Sequence, residues 1–161
     1  NTLINNQNDM GLIDFIKGAG EKLFNNEASA EEKSASIYKY LQRFNLRTEG
    51  VSASFNDDTN TIKVIGTVDS MLERKRIVAT LGNIEGVEHV NDELQVKTND
   101  NEADDNVRYY EVKSGDTLSG IAESMYGDAS KYPQIFEANK PMLSDPDEIY
   151  PGQKLVIPAE K

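Results

Sequence analysis

Apolar residues recur along this chain in two rhythms, steps of three and four residues and strict alternation, and their order predicts an α+β protein of two small domains. Over residues 12–24, Leu12, Phe15, Ile16, Ala19 and Leu23 keep the helical rhythm and predict a short amphipathic helix. Gly18 and Gly20 work against it, because a glycine inside a helix costs about 1 kcal/mol relative to alanine; the helix is expected to loosen or end in KGAGEK. Residues 30–46 resume the helical period through Ala35, Ile37, Tyr38, Leu41 and Phe44, with Ser29 and Glu32 spaced as a capping box.

The segment VSASFNDDTNTIKVIGTV predicts a β-hairpin, since Val51, Ala53 and Phe55 alternate, residues 56–60 carry turn chemistry, and Ile62 and Val64 open the return strand. Met71, Ile77, Val78 and Leu81 then share one helical side over residues 70–81, stopped by Gly82 and Asn83, and a strand follows over residues 87–97. TNDNEADDNV has no period and reads as a solvated acidic linker. Beyond it come a strand at Tyr110 and Val112, a turn at Gly115 and Asp116, and a helix over 117–126 with Leu118, Ile121, Ala122 and Met125 inward. A second helix over 130–139 and a closing strand in IYPGQKLVIP complete the chain.

The expected organisation is a helical segment at 10–27, an αββαβ domain at 28–98, a linker at 99–107 and a βααβ domain at 108–159. Residues 1–9, NTLINNQND, differ from the body of the chain and are expected to be an expression remnant or an upstream extension ahead of Met10.

Composition narrows the function. With 28 acidic against 17 basic side chains and a net charge of −11, the 161-residue chain lacks the clustered basic face that nucleic acid requires. The absence of cysteine removes disulfides and thiolate metal sites. Asp9 and Asp14 interrupt the early apolar positions, so neither an export signal nor a membrane span is expected, and the expected location is cytoplasmic.

Catalysis is poorly supplied. His89 is the sole histidine and falls in an expected strand, where a structural or surface role suits it better than general base chemistry. FNDDTNT and SDPDE are the nearest approach to a divalent-cation loop, but neither has the alternating acids, central glycine and distal glutamate of an EF-hand; both read more simply as connecting turns. A monovalent ion asks for something else. Potassium is large and loosely hydrated, and neutral backbone carbonyls can replace its water. FIKGAGE and LGNIEGV each set glycines at an expected helix end, where carbonyls are unpaired and the helix dipole favours cations. The same glycines also suit plain helix C-caps.

Three resemblances bear on this choice. VIGTV followed by a helix and GNIEGVEHVNDELQV resembles a BON domain. YYEVKSGDTLSGIAESMYG resembles a LysM domain, whose pattern also matches at Ile135, Asn139, Ile149, Pro151, Gly152, Gln153 and Leu155. From MGLIDFIKGAGEKLF to FEANKPMLSDPDEIYPGQKLVIP the whole chain resembles the bacterial BON-LysM potassium-binding (Kbp) family. That resemblance implies a non-enzymatic cytoplasmic K+ sensor or buffer that binds K+ in preference to Na+ and compacts when loaded. The implied ligands are the carbonyls of Ile16, Ala19 and Gly20 in the first segment and Gly82, Ile84 and Val87 in the second. A competing expectation is peptidoglycan or N-acetylglucosamine binding in a groove between residues 115–119 (Gly115, Asp116, Thr117, Leu118, Ser119) and the Ile149 and Tyr150 loop. A third is that the LysM domain docks on its neighbour or on a downstream protein partner whose identity the sequence leaves open.

Overall fold

In the computed structural model, residues 12–16, 18, 20, 22–24, 27–43, 50–97, 107–140 and 142–159 are described. Alternation forms the expected hairpin: β2 (Ser52–Asn56) runs antiparallel to β3 (Thr61–Val68), in register from Ser52 opposite Ile65 to Asn56 opposite Thr61. β3 pairs in parallel with β4 (His89–Val96), and β1 (Leu12–Asp14) lies antiparallel on the far side of β4, giving the order β1-β4-β3-β2. The parallel pair requires a crossover, which is the helix following β3.

Two helices, α1 (Ala30–Arg43) and α2 (Met71–Gly82), cover one face of this sheet. Ile37 and Leu41 of α1 and Ile77 and Leu81 of α2 meet Ile62, Val64, Val90 and Leu94, all almost fully buried. Burial of such side chains contributes roughly 1.5–3 kcal/mol each. The capping box ahead of α1 forms as expected, with the Glu32 N–H donating to Ser29 Oγ and the Ser29 N–H to Glu32 Oε1, both at 3.1 Å. Tyr38 departs from expectation: it is exposed, and Tyr40 is buried in its stead. Phe44 lies outside the described residues.

The expected N-terminal helix is corrected. Residues 12–14 form a strand, and residues 15 and 16 continue without helical structure. A helix would set Leu12, Phe15 and Ile16 on one face, yet Leu12 and Ile16 are 54% and 46% exposed while Phe15 is buried and Ile13 half-buried. The two-residue period wins because the open edge of β4 satisfies the segment's backbone, and two glycines weaken the competing helix.

In the C-terminal half, β5 (Arg108–Glu111) pairs antiparallel with β6 (Lys154–Ile157), enclosing α3 (Leu118–Tyr126), a 3-10 turn (Ala129–Lys131) and α4 (Tyr132–Ala138). Thr117 caps α3 through a 3.0 Å bond from the Gly120 N–H, and Gly127 ends it with φ 78°. Leu118, Ile121, Ala122, Ile135, Leu143, Leu155 and Ile157 form this lobe's own core.

The two lobes touch. Val107, expected as the last residue of a solvated linker, is buried with Ala79 of α2 and Val156 of β6; residues 98–106 lie outside the described residues. Tyr109 of β5 packs against the core of the N-terminal lobe and against the Ala79, Val107 and Val156 cluster between the lobes, and burial raises its phenol pKa well above the ordinary value. Beneath it Arg74 and Asp92 form a buried 2.9 Å ion pair. Desolvation pushes the Asp92 carboxyl upward, opposed by the Arg74 charge and by the Leu94 N–H. Among the described residues no helix is long and apolar enough to cross a membrane.

Candidate ion-binding site at the end of the second helix

α2 places the second glycine-bearing segment. Ser70 fixes its start by accepting from the Glu73 N–H at 3.1 Å, and Asn83 closes its end by donating its own N–H to the Ala79 carbonyl at 3.0 Å. The chain then turns, with Gly86 at φ 100° and the Val87 N–H reaching the Ile84 carbonyl at 3.1 Å. Ile84 and Val87 are fully buried and anchor the turn in the core.

β1 delivers the first segment to the same turn. The Phe15 N–H donates to the Glu88 carbonyl at 2.8 Å, one residue beyond Val87. The Phe15 ring lies directly against Gly82, where any Cβ would collide with it. Farther along, Gly20 adopts φ 114°, and a Cβ there would meet the Asn83 carbonyl, whose carbon would be only 2.6 Å away. Both glycines therefore permit close approach of the two segments. Gly20 also needs its positive φ, whereas Gly82 needs only space.

Of the expected ligand residues, Gly82, Ile84 and Val87 share this turn, Gly20 abuts it, and Ile16 adjoins Phe15. Ala19 lies outside the described residues. Among the described residues, only the second segment ends a helix, so the helix-dipole argument applies there and not to the first segment, which follows β1. Among the described residues, no group of three or more His, Asp or Glu side chains is arranged to hold a metal.

Sequence reasoning missed two residues here, Asn83 and Lys154. Asn83 is 5% exposed, and its amide donates to the Lys154 carbonyl at 2.7 Å while accepting from the Lys154 N–H at 2.9 Å. The Lys154 ammonium in turn donates to the Asp14 carbonyl at 2.7 Å and lies 5.0 Å from the centre of the Phe15 ring. Burial lowers its pKa, opposed by the carboxylates of Glu111 and Asp14. A partner 71 residues away leaves no periodic mark in a sequence.

Three of the residues expected to form a glycan groove, Thr117, Leu118 and Ser119, line a surface depression. This open depression of about 300 Å³ is also lined by Tyr132, Pro146 and Asp147. Its far wall is thus the 146–147 loop and Tyr132, and Gly115, Asp116, Ile149 and Tyr150 do not line it. Ile149 packs against the lobe's core, and the Tyr150 carbonyl accepts from the Gln153 N–H in a turn. Gly115 turns the chain at φ 89°, and Asp116 is taken up by the Tyr110 hydroxyl at 2.7 Å and the Lys113 N–H at 2.8 Å. His89 bonds Asp14 across β1 and β4 at 2.8 Å.

The LysM domain family matches residues 110–158. The potassium binding protein Kbp of Escherichia coli is 39% identical over 155 residues, covering 94% of this chain and all of that protein. A protein of Deinococcus radiodurans is 39% identical over 62% of this chain but 41% of its own length. An esterase of Mycobacterium tuberculosis is 52% identical over 48 residues, which are 10% of the esterase. The relative matched along its whole length is thus named as a binding protein, and the similarity to the esterase spans a small part of that enzyme.

Proposed function

Because the chain belongs to the family of the potassium binding protein Kbp, we propose that it is a cytoplasmic K+ sensor or buffer. In this reading the ligands are main-chain oxygens, those of Ile16, Ala19 and Gly20 on one segment and of Gly82, Ile84 and Val87 on the other. The observation that carries it is the close approach of Gly20 to the Asn83 carbonyl, where two turn-forming segments far apart in sequence lie against one another. Peptide oxygens held by buried anchors suit a large, weakly hydrated ion. Na+ binds its water more tightly and would require the two segments to close farther, which the packed anchors resist. Closing both segments on one ion favours the more compact arrangement by its differential affinity for it.

Titration of the whole chain with KCl, RbCl, NaCl and LiCl, followed by calorimetry and X-ray scattering, tests this reading. Heat and compaction with K+ and Rb+ but little with Na+ or Li+ are expected. Equal responses to all four salts would reduce the effect to ionic strength.

A second reading is glycan binding in the depression beside Tyr132, which carries an exposed ring next to the polar Thr117 and Ser119. N-acetylglucosamine oligomers would then shift amide resonances at residues 117–119, 132 and 146–147. No shift at those amides rejects it.

A further inference from the structure

Resting on the K+ reading, we propose that Asn83 and Lys154 are positioning residues that make the LysM domain a functional part of the ion site, one residue of β6 holding both ligand-bearing segments together.

Two asparagines cover the edge of β6 that β5 leaves open. Asn139 lies just beyond α4, and its side chain donates to the Val156 carbonyl at 2.8 Å and accepts from the Val156 N–H at 2.8 Å. Asn83, just beyond α2 in the other lobe, does the same to Lys154. A strand residue sends its N–H and C=O to the same side, so residues 154 and 156 face the asparagines while 155 and 157 face β5. Each amide thus substitutes for one residue of a missing neighbouring strand. One of the two substitutes is internal to the LysM lobe; the other is borrowed from the turn that carries Gly82, Ile84 and Val87.

The same lysine also reaches the first segment, through its ammonium on the Asp14 carbonyl and above the Phe15 ring. A closed circuit results: Gly20 abuts the Asn83 backbone, the Asn83 amide holds the Lys154 backbone, the Lys154 side chain holds residues 14 and 15, and Phe15 packs on Gly82. Separation of the two segments must break a bond to Lys154. The circuit also explains a buried, doubly bonded Asn where a helix C-cap alone would require only backbone geometry.

K+ affinity and thermal midpoints in NaCl and in KCl, measured for the whole chain, test the inference. The variants are Asn83→Ala, Lys154→Met, the pair together, and Arg76→Gln. Arg76 donates to the Lys140 carbonyl across the lobes without touching either ligand segment. Asn83→Ala and Lys154→Met should each weaken K+ binding about tenfold and shrink the rise in midpoint that K+ gives. The pair should be no weaker than the worse single change, because both act in one circuit, and Arg76→Gln should keep its K+ response. Lys154→Met retains the backbone bonds, so it remains informative if Asn83→Ala fails to fold. K+ affinity within about twofold of the unchanged protein in both single variants overturns the inference, even if their midpoints fall in both salts. An equal loss in Arg76→Gln overturns it too, since generic lobe contact would then suffice. If the unchanged protein itself does not distinguish K+ from Na+, the underlying reading fails and takes this inference with it.

Discussion

The Phe15 ring occupies the space that a side chain on Gly82 would need. This contact joins the residue that follows β1 to the last turn of α2, and it accounts for the glycine by volume, since Gly82 has no positive φ. Gly82→Ala should therefore push Phe15 out of its site and destabilise the protein by about 1–3 kcal/mol, the usual cost of overpacking a core. A β-branched residue there should cost more. Coupling Gly82→Ala with Phe15→Leu should recover part of the loss, so that the double variant is less destabilised in urea than the sum of the singles. Strict additivity would show that the two residues do not share the space.

Gly20 presents the opposite case, a backbone conformation as well as a collision. Its φ of 114° is strained for any L side chain, and the added Cβ faces the Asn83 carbonyl. Gly20→Ala should cost about 1–3 kcal/mol from the backbone alone and weaken K+ binding by more than the stability loss explains. Gly18, without a positive φ and with open space around its Cα, is the control: Gly18→Ala should leave both unchanged or slightly improve stability. Calorimetric K+ titrations of the two variants side by side decide between a local and a general effect of altering KGAGEK.

Much of this fold was legible because local signals agreed with tertiary structure. The 51–68 alternation gave the hairpin, and Ser29 with Glu32 marked the start of α1. Where two periods overlapped, at Leu12, Phe15 and Ile16, the sequence supported a helix, and only the unpaired edge of β4 decides for a strand. The close approach of the two glycine-bearing segments was marked by their glycines, although the reason for Gly82 is a ring 67 positions earlier in the chain. Lys154 and Asn83 were illegible in their role, since an amide pairing with a distant strand edge obeys no spacing rule. The depression beside Tyr132 was half legible: Thr117, Leu118 and Ser119 follow from the turn motif, but the opposite wall depends on how the 142–150 loop folds back.

In the proposed site, ligation by peptide oxygens would separate ion selectivity from side-chain identity. Ile84 is fully buried, so Ile84→Val should destabilise the protein by about 0.5–1.5 kcal/mol through the lost methylene. The backbone path should persist, and the preference for K+ over Na+ should remain. Parallel K+ and Na+ titrations would measure this, and a collapse of selectivity with modest loss of stability would mean that the side chain, not the peptide group, sets the site's dimensions.

Asp116 gives the C-terminal lobe an acid-sensitive turn. The Lys113 N–H and then the Tyr110 hydroxyl favour its charged form and hold its pKa below the ordinary 3.8. A carboxyl whose folded pKa is depressed contributes stability above its unfolded pKa and loses that contribution as pH falls through the folded value. The contribution is accordingly present at neutral pH, begins to fade near 3.8, and is gone below the depressed value. Asp116→Asn should lower the thermal midpoint at pH 7, and the gap from the unchanged protein should close as the pH drops below about 4. The exposure of this turn makes the effect small, and 0.5 M salt should reduce only its longer-range part, leaving the two hydrogen bonds. A gap independent of pH from 7 to 3 would assign the loss to altered turn geometry rather than to the carboxylate's charge.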